Sequence, residues 1–309
     1  MTTVRKAIPS FYAVAIVLSS RASEEPALNV QKVAVIGSGL MGRGIAYAAA
    51  LGGFDTTLHD VSSTALDKAM TQIRQDLDEG IARGKLQAAD AAAALKRLAP
   101  AQDLDDEADF VIEAVPEDIA LKLGLFARLD GMCRPEVVLA SNTSGLSVTE
   151  IAAATQRPTR VVGMHFFNPV PKMKLVEIVR GLDTSDEAIA VVAAVAQRMG
   201  KESVVVRESP GFITSRINAM IGNEAFYMLE AGIASARDID KALKLGLNHP
   251  MGPFELVDLV GLDTRLSVLK FLHKSLGDKY RPCPLLVQYV KAGRLGRKVG
   301  RGVYEYPAK

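Results

Sequence analysis

The sequence predicts an α/β protein with a doubly wound parallel sheet, followed by a smaller all-helical C-terminal domain. From Gln31 onward, short β-branched runs alternate with longer helical stretches, and the first run ends in a glycine-rich turn. Strands that alternate with helices of this length are joined in parallel, with helices on both faces of the sheet. The strand signal disappears after Phe212. We therefore predict an extension at residues 1–29, a nucleotide-type domain at 30–208 and a helical domain at 209–309.

Seven short apolar runs have the character of buried strands. They are Lys32–Gly37, Thr56–Asp60, Phe110–Ala114, Val137–Ser141, Arg160–Met164, Leu175–Val179 and Ser203–Val206. Leu66–Ala99 is longer than one crossover needs, so it predicts a pair of helices that project from the sheet and turn near Gly80 and Gly84. Beyond the sheet, Ile213–Lys291 predicts helices whose breaks are marked by glycine and proline. These breaks fall at Gly232, Gly246, His249–Pro253 and Pro282.

Composition excludes several classes of protein. A length of 309 residues allows two domains, and 37 basic against 35 acidic side chains give a net charge of only +2. That balance predicts neither a nucleic-acid partner nor a membrane partner. Cys133 and Cys283 are too few for a disulfide framework, so they predict a reducing compartment and structural, buried thiols.

The first 29 residues have three interpretations. Met1–Asn29 contains no acidic residue before Glu24 and includes an apolar run at Phe11–Leu18, which is shorter than the roughly 20 residues needed to span a bilayer. The segment fits a mitochondrial transit peptide, a signal peptide, or a disordered or mis-started extension. We favour the last, because secretion conflicts with the intracellular cofactor argued below. The expected location is the cytoplasm, or the mitochondrial matrix if the segment is a transit peptide.

A glycine-rich turn follows the first predicted strand and opens a helix, which is the context of a Rossmann-type dinucleotide site. The turn predicts cofactor contacts at Gly37, Ser38, Gly39, Leu40, Met41 and Gly42. Gly37 permits the tight turn, Gly39 lets a pyrophosphate approach the backbone, and Gly42 allows the helix to pack on the strand. The glycines could instead serve packing alone, or the fold could bind another nucleotide such as FAD.

Asp60 ends the second predicted strand, 18 residues beyond Gly42. A carboxylate there can accept hydrogen bonds from the adenine ribose and would repel a 2′-phosphate, and Val61 to Ser63 supply no arginine to neutralise one. The sequence therefore predicts NAD rather than NADP. Asp60 could alternatively cap the following helix.

His165 ends a predicted strand, where ligand sites of such sheets lie, whereas His59, His249 and His273 have simpler structural explanations. Glu177 follows 12 residues later on the next predicted strand, so adjacent strands could pair the two. A carboxylate on one imidazole nitrogen fixes the tautomer and leaves the other nitrogen to exchange a proton with a substrate hydroxyl. With hydride transfer to NAD, an alcohol then becomes a ketone. A buried Glu–His pair with a purely structural role is the alternative.

Ser144 follows another apolar strand, in Ser141-Asn-Thr-Ser-Gly145, where its hydroxyl could bond a substrate oxygen. A helix N-cap is the alternative. Ser147 and Thr149 are better placed to cap the helix that contains Ile151, which leaves Ser144 for a ligand.

The chain resembles the L-3-hydroxyacyl-CoA dehydrogenase family, particularly its short bacterial 3-hydroxybutyryl-CoA members. The resemblance spans roughly Lys32 to Tyr306. It rests on Gly37–Gly42, Ser141–Ser144, His165–Glu177, Ser209–Phe212 and His249–Leu256 continuing to Thr264. It implies NAD-dependent interconversion of short 3-hydroxyacyl-CoA and 3-ketoacyl-CoA, in fatty-acid or butanoate metabolism. It also implies a homodimer formed through the C-terminal helices.

The resemblance also implies roles for single residues. The catalytic His–Glu pair falls on His165 and Glu177, and the serine that contacts substrate and cofactor falls on Ser144. Further contacts along the NAD and active-site cleft fall on Glu117, Lys122, Asn168 and Lys298. Arg83, with Lys85 as a neighbour, matches a basic residue that faces CoA.

One position departs from the family pattern. Many relatives have a substrate-orienting asparagine shortly after Pro-Gly-Phe, where this chain has Ser215, and either Asn218 or Asn223 could compensate.

Two other functions remain open from the sequence. A relative that oxidises a free hydroxy acid or sugar acid would not distinguish a CoA thioester from its free acid. A non-catalytic NAD-binding or crystallin-like protein on this scaffold would not need Ser144, His165 and Glu177.

Overall fold

The computed structural model describes residues 30–307, so the predictions made for Met1–Asn29 lie outside the described residues. Eight strands form one sheet in the order β3-β2-β1-β4-β5-β6-β7-β8. The strands are β1 (Lys32–Ile36), β2 (Asp55–His59), β3 (Leu98–Ala101), β4 (Phe110–Glu113), β5 (Val138–Ser141), β6 (Val161–Phe166), β7 (Leu175–Arg180) and β8 (Glu202–Arg207). All seven predicted strands are present.

Strands β1 to β6 are parallel, and β1 lies between β2 and β4. The strand order reverses at β1, and a crevice beyond the carboxyl ends of the strands at such a point is where open α/β sheets bind ligands. The glycine-rich turn leaves β1 at this point. The predicted doubly wound sheet is therefore confirmed, with two corrections.

The first correction concerns β7, which is antiparallel to β6, so the expectation of parallel strands throughout was wrong. Only residues 167–174 join the two strands. Parallel neighbours need a crossover of about a dozen residues or more, whereas a short loop suffices for an antiparallel pair. β8 is parallel to β7 and closes the sheet on that side.

The second correction is strand β3, which lies at the opposite edge and overlaps the last two residues of the segment predicted to be helical. The sequence Leu98-Ala-Pro-Ala101 has little strand character, and its proline is tolerated because an edge strand leaves one row of N–H positions unpaired. The predicted helix pair itself is confirmed. Its apolar side chains, including Ile73 and Ala94, belong to the same core as Ile45, so the pair packs on the nucleotide-type domain.

Eleven α-helices complete the described part of the chain. Those in the sheet region are α1 (Leu40–Leu51), α2 (Ser63–Ala82), α3 (Ala88–Arg97), α4 (Ile119–Met132), α5 (Val148–Ala153) and α6 (Asp186–Arg198). Those beyond it are α7 (Thr214–Glu230), α8 (Ala236–Gly246), α9 (Pro253–Val260), α10 (Leu262–Leu276) and α11 (Pro284–Lys291). The predicted helix breaks are confirmed, and the second group packs around its own core that includes Phe226, Phe254 and Leu269.

Cys133 and Cys283 are both buried as free thiols, as predicted. Across residues 30–307, none of the helices is long and apolar enough to cross a membrane.

Candidate active site

The glycine-rich turn fits a dinucleotide pyrophosphate. A Cβ on Gly42 would lie 1.7 Å from the carbonyl oxygen of Gly37, so only glycine permits this approach of helix α1 to strand β1. A Cβ on Gly39 would meet nothing within 4 Å, so it would project into open space where a ligand can approach the backbone. Gly39 is also the N-cap of α1 and supplies no capping side chain. The N–H groups at this helix end are therefore available to an anion.

Asp60 fixes this turn. Its Oδ2 accepts hydrogen bonds from the Ser38 N–H (2.9 Å) and from the Ser38 hydroxyl (2.8 Å). Burial alone would raise the pKa of Asp60, but these bonds and one from the Ser62 N–H outweigh it and hold the pKa below its ordinary value. The group is therefore a carboxylate at neutral pH. Ser62, and not Asp60, caps helix α2, so the capping alternative is wrong.

His165 and Glu177 are opposed residues of the antiparallel β6–β7 pair. The Nδ1 atom of His165 lies 2.8 Å from Oε2 of Glu177, with the histidine 7% exposed and the glutamate fully buried. A carboxylate only accepts, so Nδ1 carries the proton and Nε2 is left with its lone pair. The rings of Phe167 and Phe212 lie 4.5 Å and 5.7 Å from the imidazole and shield it.

Glu177 is held by helix α7 as well as by His165. Its Oε1 accepts from the N–H groups of Ile213 (3.2 Å) and Thr214 (2.9 Å), and its Oε2 also accepts from the Thr214 hydroxyl (3.2 Å). Burial on its own would raise the pKa of Glu177, but the bonds from His165 and Thr214 more than offset it and lower the pKa. The carboxylate therefore stays ionised beside the imidazole.

One cleft of about 990 Å³ brings six of the predicted residues together, between the carboxyl edge of the sheet and the helical region. The predicted residues on its wall are Met41, Glu117, Ser144, His165, Asn168 and Ser215. Apolar side chains from α9 and from the loop before β7, including Leu256, Val260 and Met173, complete the wall. The cleft thus combines polar groups with an apolar lining.

Ser144 is bound to Glu117. One oxygen of Glu117 accepts from the Ser144 N–H (2.7 Å), from its hydroxyl (3.1 Å) and from the Thr143 hydroxyl (2.7 Å). Ser147 caps helix α5, as predicted, so Ser144 has no capping role. Lys122 lies behind Glu117, with Nζ 3.5 Å from the second oxygen, and is fully buried rather than on the cleft wall.

Lys298 and Arg83 are among the predicted residues that lie outside the main cleft. Lys298 forms an ion pair with both carboxylate oxygens of Asp263, at 2.7 Å and 2.6 Å. Arg83 lines a second cleft of about 700 Å³, together with Lys85, and pairs with Glu79 at 2.7 Å. The two clefts share Asn168 and Pro169, so they adjoin. Leu40 is 54% exposed and also lines the second cleft.

Ser215 lies on the cleft wall, and Asn218 lies one helical turn further along α7 on the same wall. Asn223 is instead committed to the helical core, where its side chain donates to the Arg281 carbonyl and accepts from the Cys283 N–H. Of the two asparagines considered for the Ser215 departure, only Asn218 therefore faces the cleft.

Sequence reasoning missed three contributors. Thr214 binds the Glu177 carboxylate, and Glu113 and Ser141 form a buried hydrogen bond of 2.6 Å behind the cleft. Glu113 and Ser141 each end an otherwise apolar strand run, and a polar residue in that place is a signal that the sequence contained.

Comparison with known proteins agrees with this geometry. The family model described as "3-hydroxyacyl-CoA dehydrogenase, NAD binding domain" matches residues 32–209, and the C-terminal domain model of the same family matches 211–306. A probable 3-hydroxybutyryl-CoA dehydrogenase of Bacillus subtilis is 47% identical over 285 residues, covering 91% of this chain and 99% of that protein.

Two further relatives are similar over the same region. The crystal structure of (S)-3-hydroxybutyryl-CoA dehydrogenase from Ralstonia eutropha superposes with a TM-score of 0.88 at 45% identity, covering 90% of this chain and 100% of that chain. A 3-hydroxyadipyl-CoA dehydrogenase of Escherichia coli is 44% identical, covering 91% of this chain and 60% of that protein. The two family models leave only four residues unmatched between 30 and 307. The chain therefore belongs to the 3-hydroxyacyl-CoA dehydrogenase family and has the NAD-binding domain of that family.

Proposed function

We propose that the protein catalyses the NAD-dependent oxidation of (S)-3-hydroxyacyl-CoA to 3-ketoacyl-CoA, and the reverse reduction, with 3-hydroxybutyryl-CoA as substrate. The observation that supports this most directly is the His165–Glu177 hydrogen bond beside Ser144 on the wall of one cleft. Relatives that carry the name 3-hydroxybutyryl-CoA dehydrogenase support the choice of a short acyl chain.

His165 is the proton-transfer group of the proposed reaction. In the oxidation, its Nε2 accepts the proton of the substrate 3-hydroxyl, and Glu177 stabilises the resulting imidazolium through Nδ1. In the reduction, the same proton returns to the carbonyl oxygen. Bound NAD supplies the hydride acceptor at the substrate carbon. Gly39 and the α1 N-terminus would hold its pyrophosphate and Asp60 its adenine ribose.

Ser144 positions the substrate in this scheme. Its N–H and hydroxyl both bind Glu117, which holds Oγ on the cleft wall, where it can bond the substrate 3-oxygen. The apolar wall then receives the short acyl chain. Arg83 and Lys85, on the adjoining cleft, offer positive charge to the phosphates of CoA.

NADH consumption with acetoacetyl-CoA tests the proposal, run beside free acetoacetate and beside NADPH. We expect turnover only with NADH and the thioester. His165→Gln should lower kcat/KM by about 100-fold to 10,000-fold, the range of general acid–base catalysis. His273→Gln is the matched control, because His273 lies on α10 and binds Asp278 outside the cleft. Equal turnover of free acetoacetate would favour a hydroxy-acid or sugar-acid enzyme, and no turnover at all would favour a structural protein.

We also infer a homodimer formed through the helical region. Ile213 and Ile217, at the start of α7, are 43% and 56% exposed and can contribute apolar surface to such an interface. A monomeric mass in solution would refute the dimer. The division of the chain at residue 208 and the cytoplasmic location stay predictions.

A further inference from the structure

A fully buried carboxylate, Glu113, lies behind the cleft at the carboxyl end of β4. Its Oε1 accepts from the Lys122 ammonium (2.6 Å) and from the Val115 N–H (2.7 Å), and its Oε2 accepts from the Ser141 hydroxyl (2.6 Å). Lys122 is fully buried too. None of the cofactor or catalytic roles assigned above uses Glu113.

The position of Glu113 connects the two loops that carry Glu117 and Ser144. Ser141 is its directly opposed partner on β5 and precedes Ser144 by three residues. Val115 precedes Glu117 by two residues. One carboxylate therefore fixes the start of both loops, and through Lys122 it also fixes helix α4, from which Lys122 projects.

The group formed by Glu113, Glu117 and Lys122 contains two carboxylates but only one ammonium. A single ammonium, on Lys122, lies between the carboxylate of Glu113 at 2.6 Å and that of Glu117 at 3.5 Å. Buried charges need a partner, and removal of one partner leaves the remaining charge to find another. If the Glu113 charge were removed, Glu117 would be the only carboxylate left beside the ammonium. Lys122 and the Glu117 carboxylate would then draw together, and Glu117 would move away from Ser144.

We propose that Glu113 is a positioning residue that holds Lys122 back from Glu117 and so leaves Glu117 to orient the Ser144 hydroxyl. This proposal depends on the proposed function, because Ser144 matters only if it contacts the substrate. When Glu117 moves toward Lys122, it releases the N–H and hydroxyl of Ser144, and Oγ loses its fixed place on the cleft wall. The substrate then loses one oriented hydrogen bond.

Glu113→Gln is the informative variant, because glutamine keeps the size of the side chain and can still bind both Lys122 and Ser141 while it removes the charge. We expect kcat/KM for acetoacetyl-CoA to fall about tenfold, the effect of one lost hydrogen bond of about 1.4 kcal/mol. The dissociation constant of NADH, followed by its fluorescence, should change less than about threefold, because the glycine turn and Asp60 are untouched. Glu136→Gln is the control, because it removes a carboxylate that is exposed and pairs with Arg134 outside the cleft, and it should lower kcat/KM by less than about twofold.

Two double-mutant cycles separate positioning from a general structural role. In a Ser144→Ala background, Glu113→Gln should have less than a twofold further effect, because no hydroxyl remains to be oriented. In a Lys122→Met background it should also have less than a twofold effect, because no ammonium remains to move. A tenfold effect that persists in both backgrounds would overturn the proposal. The absence of turnover in the unmodified protein would instead overturn the proposed function. If Glu113→Gln alone does not fold, the comparison of Glu113→Gln/Lys122→Met with Lys122→Met still decides the matter.

Discussion

His165 and Glu177 face each other directly across two antiparallel strands, and the backbone register of β6 and β7 sets their separation. Register in a sheet is specified by all the residues of both strands, so the 2.8 Å contact between the two side chains does not depend on a flexible loop. The imidazole is thereby held in one orientation before any substrate arrives.

Glu177→Gln tests this orientation. The amide can present its NH2 group to Nδ1, and that would favour the wrong tautomer and remove the charge that stabilises the imidazolium. We expect kcat to fall at least about 100-fold with little change in the KM for acetoacetyl-CoA, measured by initial rates at saturating NADH. A variant with near-normal kcat would show that the carboxylate has only a structural role.

The lowered pKa of Glu177 predicts how the stability of the protein depends on pH. The pKa of Glu177 is lower in the folded protein than in the unfolded chain, where it is about 4.3. Its contribution to stability is therefore complete above that value and is lost as the pH falls through the lower, folded pKa. Urea unfolding should show a gap in stability between the native protein and Glu177→Gln that is widest near neutral pH and narrows below about pH 4. A gap that is constant from pH 7 to pH 3 would contradict this.

Substitution of two glycines in the same turn should have different effects, one on stability and the other on NADH binding. Gly42→Ala would place a Cβ 1.7 Å from the Gly37 carbonyl oxygen, so we expect a loss of more than about 2 kcal/mol of stability, seen as a lower Tm. Gly39→Ala meets no protein atom within 4 Å, so Tm should hold while the dissociation constant of NADH rises about tenfold or more. Normal NADH binding by Gly39→Ala would place the pyrophosphate elsewhere.

Asp60 should determine the choice of cofactor. Asp60→Ser removes the charge that repels a 2′-phosphate and keeps a hydroxyl for the turn. We expect the preference for NADH over NADPH, taken as the ratio of kcat/KM values, to fall by about tenfold to 100-fold. Ser62→Ala is the control, since it removes a helix cap beside Asp60 without changing the charge. An unchanged ratio in Asp60→Ser would assign the discrimination to other residues.

The side chain of Arg265 is buried although it carries a charge. It is 4% exposed, and within residues 30–307 its Nε has no hydrogen-bond partner and its guanidinium forms no ion pair. Burial lowers its pKa to about 10. Because an unpaired buried charge costs free energy, Arg265→Met should raise stability by about 1 to 2 kcal/mol, measured by urea unfolding. A loss of stability would indicate that the guanidinium has a partner in the assembled protein.

The sequence predicted the larger features of the fold because their signals are local. The glycine turn, the apolar strands and the helix breaks at Gly232 and Gly246 each depend on a few adjacent residues. The direction of β7 was missed although the short segment 167–174 contained the information, since it cannot span a parallel crossover. Strand β3 had no such signal, because Pro100 and two alanines become a strand only through pairing with β2.

The site was predictable to a similar degree. His165, Glu177 and Ser144 could be proposed from their places at strand ends, and family resemblance added Glu117. The hydrogen bonds that hold these groups could not be predicted, because they join residues far apart in the chain. Thr214 reaches Glu177 across 37 residues, and Ser144 reaches Glu117 across 27. Only the folded arrangement brings these atoms together.

The bonds from Ile213 and Thr214 to Glu177 have a mechanical consequence. Separating α7 from β7 would strip a fully buried carboxylate of most of its donors, which is costly. Strand β7 and the start of α7 therefore move as a single rigid body, and the hinge of any opening motion lies elsewhere. The proton-transfer pair therefore stays assembled while a thioester enters or leaves the cleft.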